Sequence, residues 1–358
     1  MAKLKLGVLG LGEGRSIISA ALNSELWELA RICDLNETLC KERAEEFRFP
    51  HYTTRFDEML ADPQIDVIGI YTPDPLHAGH IRQCLDAGKH VICTKPLIDN
   101  LQDAKALLDA GTRSKRQVFV GQSSRFFEPM IRQRADFDAG KHGALFSVEA
   151  HYHADNRWFS KKSWAKSGGV RWLFNGLSHP VDLVRWYVPD ITDVMGYGML
   201  TENGKAVGLE APDAMHFVMR SAGGQIARVS GAYSSPPGNH VRDSHITCVL
   251  RGDRGCTHAD YSDLRYSTQF SGEGNAQYDF ASKEPYYFRF GGRSHHAGEY
   301  QNYIEYFARC VERGETPKPD IAEGIGTVAL MSAMERSLAT SQPVKVAAVL
   351  QEHGLAQM

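Results

Sequence analysis

Hydrophobic positions in the first third of the chain fall into short apolar runs separated by helical periodicity. Leu4–Leu9 is a run of strand length, and Ile17, Ile18, Ala21 and Leu22 after it recur at helical spacing. A second run, Leu29–Cys33, is followed by Ile65–Tyr71, which is nearly continuous, as expected when both faces of a parallel strand are covered. A helix at Leu76–Ala87, a strand at His90–Cys93, a helix near Leu101–Ala110 and a strand at Val118–Gly121 complete the series. These five runs alternating with helices predict a doubly wound parallel sheet of six strands, an α/β fold.

From about Arg125 the pattern changes. Phe127–Ala139 reads as a helix and Ala144–Asp155 as a long strand alternating on Phe146, Val148, Ala150 and Tyr152. After a glycine-containing turn and a helix at Pro180–Tyr187, strand patterns recur at Val194–Leu200, Ala214–Arg220, Gln225–Tyr233 and His245–Arg251. Strands in sequence with tight turns predict a mostly antiparallel sheet. Arg251-Gly252-Asp253, with Gly255 after it, reads as a hairpin turn, and Ser234–Gly238 as an exposed loop. Tyr300–Arg313 and Gly324–Thr340 are helical, and Ser341–Val349 is a short strand or tail. The expected division is residues 1–123 and 124–358.

Composition narrows the classes. A chain of 358 residues has room for two domains with cores of their own. The 42% hydrophobic and 23% charged fractions are those of a soluble globular protein, and a net charge of −3 gives no case for nucleic acid. No apolar run approaches the ~20 residues of a membrane span, and MAKLKLGVLG leads straight into a strand without a signal peptide. The seven cysteines are scattered without a C-x-x-C, so reduced thiols in a cytoplasmic protein are expected.

Chemistry concentrates at the strand ends. Leu4–Leu9 runs into Gly10, Gly12 and Gly14, and Asp34 follows the next strand, 22 residues after Gly12. Strand, glycine loop, helix, strand and acid in that order point to a dinucleotide: glycines admit a pyrophosphate and the acid accepts from the ribose. Arg15 occupies the place of the third glycine. Asp34 favours NAD, whereas an arginine near the phosphates leaves NADP open. The loop Thr72-Pro73-Asp74-Pro75-Leu76-His77 is expected at the same carboxyl edge. The stretch Gly88–Leu97, GKHVICTKPL, sets Lys95 just past a buried strand, where parallel sheets bind ligands. His179, at the start of a helix and followed by Pro180, is expected to point outward. His151 and His153 share a strand face, but with Asp155 or His295-His296 they lack tight ligand spacing, and no metal is expected.

Several stretches together resemble the glucose–fructose oxidoreductase/inositol dehydrogenase/MocA family of sugar oxidoreductases. They are GVLGLGEGRS at 7–16, Asp34, YTPDPLHAGH at 71–80, AGKHVICTKPL at 87–97, GQSSRFF at 121–127, and Gly168-Gly169 with His179-Pro180-Val181-Asp182-Leu183. The resemblance implies a Rossmann domain followed by an α/β domain with an open, mostly antiparallel sheet, through which homodimers or homotetramers form. It implies cofactor contacts from Gly10, Gly12, Gly14, Arg15, Asp34, Thr72, Pro73, Asp74, His77, Thr94, Lys95 and Gln122. His179 would be the general acid/base with Lys95 nearby. Two positions depart from the family pattern: Thr94 stands for a glutamate and Asn175 for an aspartate. Asn175 can orient a hydroxyl but exchanges no proton, so Lys95 and His179 would carry the relay. His153, Arg157 and Trp158 would line the sugar pocket, and Trp158, Trp164 and Trp172 suit a sugar's C–H face, although core packing explains these three equally well. Asp182 would tie its helix down. The implied reaction is hydride transfer between a secondary alcohol of a sugar, inositol or polyol and a nicotinamide. A redox-neutral sugar enzyme with retained NAD, and a non-catalytic nucleotide-binding sensor, are the alternatives.

Overall fold

The structure is a computed structural model that describes residues 3–161, 171–236, 244–290 and 296–357. Trp164, Gly168, Gly169, Gly238 and His295 lie outside the described residues. The chain divides into two compact units, and the first break falls after Ser123.

In the first unit the strands are β1 (Leu4–Leu9), β2 (Trp27–Cys33), β3 (Tyr52–Thr53), β4 (Val67–Ile70), β5 (His90–Thr94) and β6 (Val118–Gly121). They form one sheet in the order β3-β2-β1-β4-β5-β6, parallel throughout. The helices between them are α1 (Arg15–Leu22), α2 (Glu37–Glu46), α3 (Phe56–Ala61), α4 (His77–Asp86) and α5 (Ala104–Ser114). Every residue of β4 and β6 is buried, which is why both read as unbroken apolar runs. Asn36 starts α2 by accepting from the N–H groups of Thr38 and Leu39. The helix expected from Leu76 begins at His77, after a single 3-10 turn at Asp74–Leu76.

By contacts, the compact units do not follow a single cut in the sequence. Residues 286–290 and 296–326 belong to the first unit. The helix Gly298–Arg313 buries Tyr303, Ile304, Phe307 and Ala308 along one face. That face meets the first core directly. Trp27 Nε1 donates to Ile304 O at 3.0 Å, and the Phe119 ring lies 5.5 Å from Tyr303 and 5.8 Å from Phe307.

The second unit carries α6 (Glu128–Asp138), β7 (Leu145–Ala154), α7 (Trp172–Asn175), α8 (Ser178–Tyr187), β8 (Ile191–Met199), β9 (Ala214–Ser221), β10 (Ile226–Ala232) and β11 (Ser244–Gly252). Next come β12 (Gly255–Asp260), β13 (Arg265–Phe270), β14 (Gly274–Asp279) and β15 (Val344–Lys345). The nine strands run in the order β14-β13-β12-β11-β7-β10-β9-β8-β15, antiparallel except for the β7–β10 pair. Strands β12 to β14 extend the sheet beyond the sequence expectation. β14 is exposed along its whole length and so has no alternation to read. The segment expected as a strand or tail at 341–349 is the two-residue β15 followed by a helix, Val346–Glu352.

On β7, Val148 and Ala150 are buried, on the side covered by α8, while Glu149, His151 and His153 stand on the other side. That second face continues through Arg228 and Ser230 of β10, Val218 of β9 and Tyr197 of β8, by their register. Tyr197, Met199 and Val218 are exposed there.

Candidate active site

The glycine loop between β1 and α1 is fixed by close approach. Gly10 has φ +87°, and a Cβ on it would lie 2.5 Å from the Tyr71 carbonyl oxygen. A Cβ on Gly14 would lie 2.3 Å from Gly10 O, so the tight helix–strand approach occurs there and position 15 is free to be arginine. Gly12 is different, because a Cβ on it would meet nothing within 4 Å. It opens the loop to a ligand, above the N–H groups of the first turn of α1. Asp34 is aimed at the same place: Oδ2 accepts from Leu11 N at 2.8 Å and Oδ1 from Asn36 N at 2.9 Å. These features fit a dinucleotide's pyrophosphate and adenosine ribose. Arg15 does not reach freely toward phosphate. Its Nε donates to Glu46 Oε1 at 2.6 Å, and its guanidinium lies 4.3 Å from the Phe290 ring centroid.

The loops after β4, β5 and β6 bring Thr72, Pro73, Asp74, Thr94, Lys95 and Gln122 to the same carboxyl edge of the sheet. His77 has a different place from a direct ligand contact. It is fully buried, with Nδ1 2.8 Å from the Pro96 carbonyl oxygen and Nε2 2.8 Å from the Thr72 carbonyl oxygen. Its ring therefore ties the β4 loop to the Lys95-Pro96 corner, whose peptide bond is cis. Gln122 is buried at the end of β6, and its Oε1 has no partner among the described residues. An unsatisfied buried acceptor of this kind suits the amide of a nicotinamide.

Lys95 is half-buried, and burial is the main influence on its ammonium, lowering its pKa below the ordinary lysine value. Asp74 and then Glu13 act in the opposite direction. Thr94 supplies no charge, so the charges that oppose this lowering come from Asp74 and Glu13 in the neighbouring loops.

In the second unit, Asn175 ends α7 and His179 is the second residue of α8. The expectation that His179 points outward fails, because α8 begins two residues before Pro180, at Ser178, and His179 is only 9% exposed. Its Nδ1 lies 3.4 Å from Ser124 Oγ, and its ring is edge-on to Tyr152, centroids 5.7 Å apart. Asp182 anchors the helix as expected. Arg125 holds it bidentately, at 2.6 and 2.8 Å, with both side chains buried. Breaking such a pair from one side costs roughly 3–5 kcal/mol.

Beside His179 stands an aromatic group that sequence reasoning gave no role beyond Trp172. Tyr152 lies 5.2 Å from Trp172, and Trp172 lies 5.1 Å from Tyr233. Trp172 Nε1 and Tyr233 Oη are buried with no partner among the described residues. Burial, with Asp155 nearby, raises the Tyr233 pKa, so the hydroxyl stays a donor. Two unsatisfied donors beside a histidine suit a ligand rich in hydroxyl groups. Only their final positions reveal this.

His153 does not join that group. Alternation along β7 turns it away from Tyr152, toward His151, whose ring is 6.4 Å away and whose Nδ1 meets Ser230 Oγ at 2.8 Å. Arg157 is held by Asp155 at 2.7 and 2.6 Å, and Trp158 follows it in a 3-10 turn. Among the described residues no cluster of three His, Cys, Asp or Glu side chains could hold a metal. Nor is any helix among them long and apolar enough to cross a membrane.

Comparison with known proteins gives the family and the fold. Residues 4–122 match the oxidoreductase family described as an NAD-binding Rossmann fold, and residues 137–346 match its C-terminal α/β domain. A levoglucosan dehydrogenase of Pseudarthrobacter phenanthrenivorans is 26% identical over 71% of this chain and 73% of that protein. A D-xylose 1-dehydrogenase (NADP+) of Haloferax volcanii is 25% identical over 95% of this chain and 98% of that protein. Among solved structures, an Agrobacterium radiobacter oxidoreductase in complex with NAD+, L-tartaric acid and magnesium shares the fold. It superposes with TM-score 0.83 at 18% identity, over 98% of this chain and 100% of that one. The chain belongs to the GFO/IDH/MocA oxidoreductase family, and is a nicotinamide-dependent oxidoreductase.

Proposed function

We propose that the protein oxidises a secondary alcohol of a sugar, inositol or related polyol, or reduces the matching ketone. The observation that carries the reading is Lys95: a half-buried ammonium just past β5, with Asp74 and Glu13 supplying the charge that Thr94 does not. The nicotinamide, when bound, accepts or returns the hydride of the carbinol carbon. Lys95 polarises the carbinol oxygen, and His179 takes up or returns its proton. Asn175 holds a neighbouring hydroxyl, and the unsatisfied Trp172 Nε1 and Tyr233 Oη donate to others. The named substrates of the relatives, levoglucosan and xylose, support a sugar as the substrate class. The test is a panel of sugars and polyols run with NAD and NADP, following absorbance of the reduced nicotinamide. No turnover with any of them, despite dinucleotide binding, would overturn the reading in favour of a sensor. Turnover without accumulation of reduced nicotinamide would point to the redox-neutral chemistry. The exposed Tyr197, Met199 and Val218 on the open sheet face support self-association through that face. Sedimentation of the intact chain tests it.

A further inference from the structure

We propose that Glu46 determines which dinucleotide the site takes, by cancelling two arginines beside the adenosine end. The assignment rests on the nicotinamide-dependent reading and extends it to a residue with no role so far.

Glu46 is the last residue of α2 and holds two guanidiniums at once. Arg15 Nε donates to its Oε1 at 2.6 Å, with Arg15 Nη2 on the same oxygen, and Arg43 Nη1 donates to its Oε2 at 2.9 Å. Arg43 Nε also donates to Leu11 O at 3.1 Å. Leu11 is the loop residue whose N–H is held by Asp34. Asp34, Leu11, Arg43, Glu46 and Arg15 therefore form one contiguous chain of contacts around the glycine loop. Arg15 is held further by the Phe290 ring.

The charges decide the consequence. Asp34 and Glu46 balance Arg15 and Arg43, so the cluster is neutral overall. A 2′-phosphate carries roughly −2 and is normally accepted by a free arginine fork. Here both forks are occupied by a carboxylate, and Asp34 stands at the end of β2, where the adenosine ribose would bind. Without the Glu46 charge, the two arginines would outweigh Asp34 by one positive charge and be free to pair with phosphate.

The experiment measures dissociation constants of NADH and NADPH for the full-length chain by fluorescence titration, without sugar, so it does not depend on turnover. In Glu46→Gln, NADPH should bind about tenfold or more tighter than to the wild type, while NADH changes by less than about threefold. The gain should shrink at high ionic strength and largely disappear when Arg15→Gln is added. A folded Glu46→Gln whose NADPH-to-NADH ratio stays within about twofold of wild type would overturn the assignment. Should that variant fail to fold, Glu46→Met keeps the stem packed and is judged by the same two outcomes. A wild-type chain that bound neither dinucleotide would overturn the nicotinamide reading, and this assignment with it.

Discussion

The two units place their chemistry by different rules. In the first, each candidate group sits where a parallel strand ends: Gly12 after β1, Asp34 after β2, Asp74 after β4, Lys95 after β5 and Gln122 after β6. Neighbouring parallel strands end at one edge, so residues far apart in sequence converge without individual instructions. In the second unit, His179 comes from the start of a helix, Tyr152 from a strand, Trp172 from a short helix and Tyr233 from the residue after another strand. No common edge gathers them, only packing.

The contrast is broken most severely at Lys95. Lys95→Ala should lower kcat roughly 10³-fold, with the NADH dissociation constant changed by less than about threefold, if the lysine acts on the reacting oxygen as proposed. Steady-state kinetics beside a binding titration checks this, and equal losses in both would make Lys95 a cofactor ligand only. His179→Asn should follow at roughly 10²-fold in kcat, the usual size of a lost general acid/base. The acidic limb of its pH profile should flatten if the assignment is right. A variant with wild-type turnover would remove His179 from the reaction.

Asp74→Asn should have a smaller effect, below about tenfold at neutral pH, and a diagnostic direction. Burial already lowers the Lys95 pKa, and Asp74 is the first of two charges that oppose the shift. Removing that charge lowers the pKa further. On the proposed mechanism the protonated lysine is the active form in ketone reduction, so activity is retained below its pKa and lost as pH rises through it. The alkaline limb of the reduction profile should move to lower pH in Asp74→Asn. Movement to higher pH, or none, would show that Asp74 does not act on Lys95.

Much of this was legible because the first unit writes its function in contiguous motifs. The glycine loop, Asp34 and the Lys95-Pro96 corner each combine a buried run with a residue that breaks it, and the sheet order does the rest. His77 was legible as important but not in its role, since two backbone carbonyls define it and neither has a side-chain signature. Glu46 sits in a polar helix among other charges, and only three-dimensional contact separates it from a solvated face. The sequence showed Tyr300–Arg313 as helical, but periodicity does not say which core receives the apolar face of that helix. Trp172 and Tyr233 were invisible as donors for the same reason: being unsatisfied is a property of the packed state.

His153 gives the smallest effect and the sharpest test of how the second sheet is used. As a histidine two residues from Asp155 it reads like a pocket residue, but β7 alternates, and Tyr152 takes the side on which His179 lies. His153 faces His151, and its pKa is depressed to about 4, by burial first and then by the charges of His151, His245 and His216. A histidine whose folded value lies below its unfolded one resists protonation in the native state. Its penalty is absent near neutral pH and grows as pH falls from the ordinary histidine range toward about 4. His153→Ala should therefore leave kcat within about twofold, while making the fold less sensitive to acid over that window. Turnover and a series of unfolding midpoints from neutral to mildly acidic pH check both halves. A kcat loss of the size expected for His179, with unchanged acid sensitivity, would return His153 to the substrate side and show that the two faces of the sheet do not divide the work.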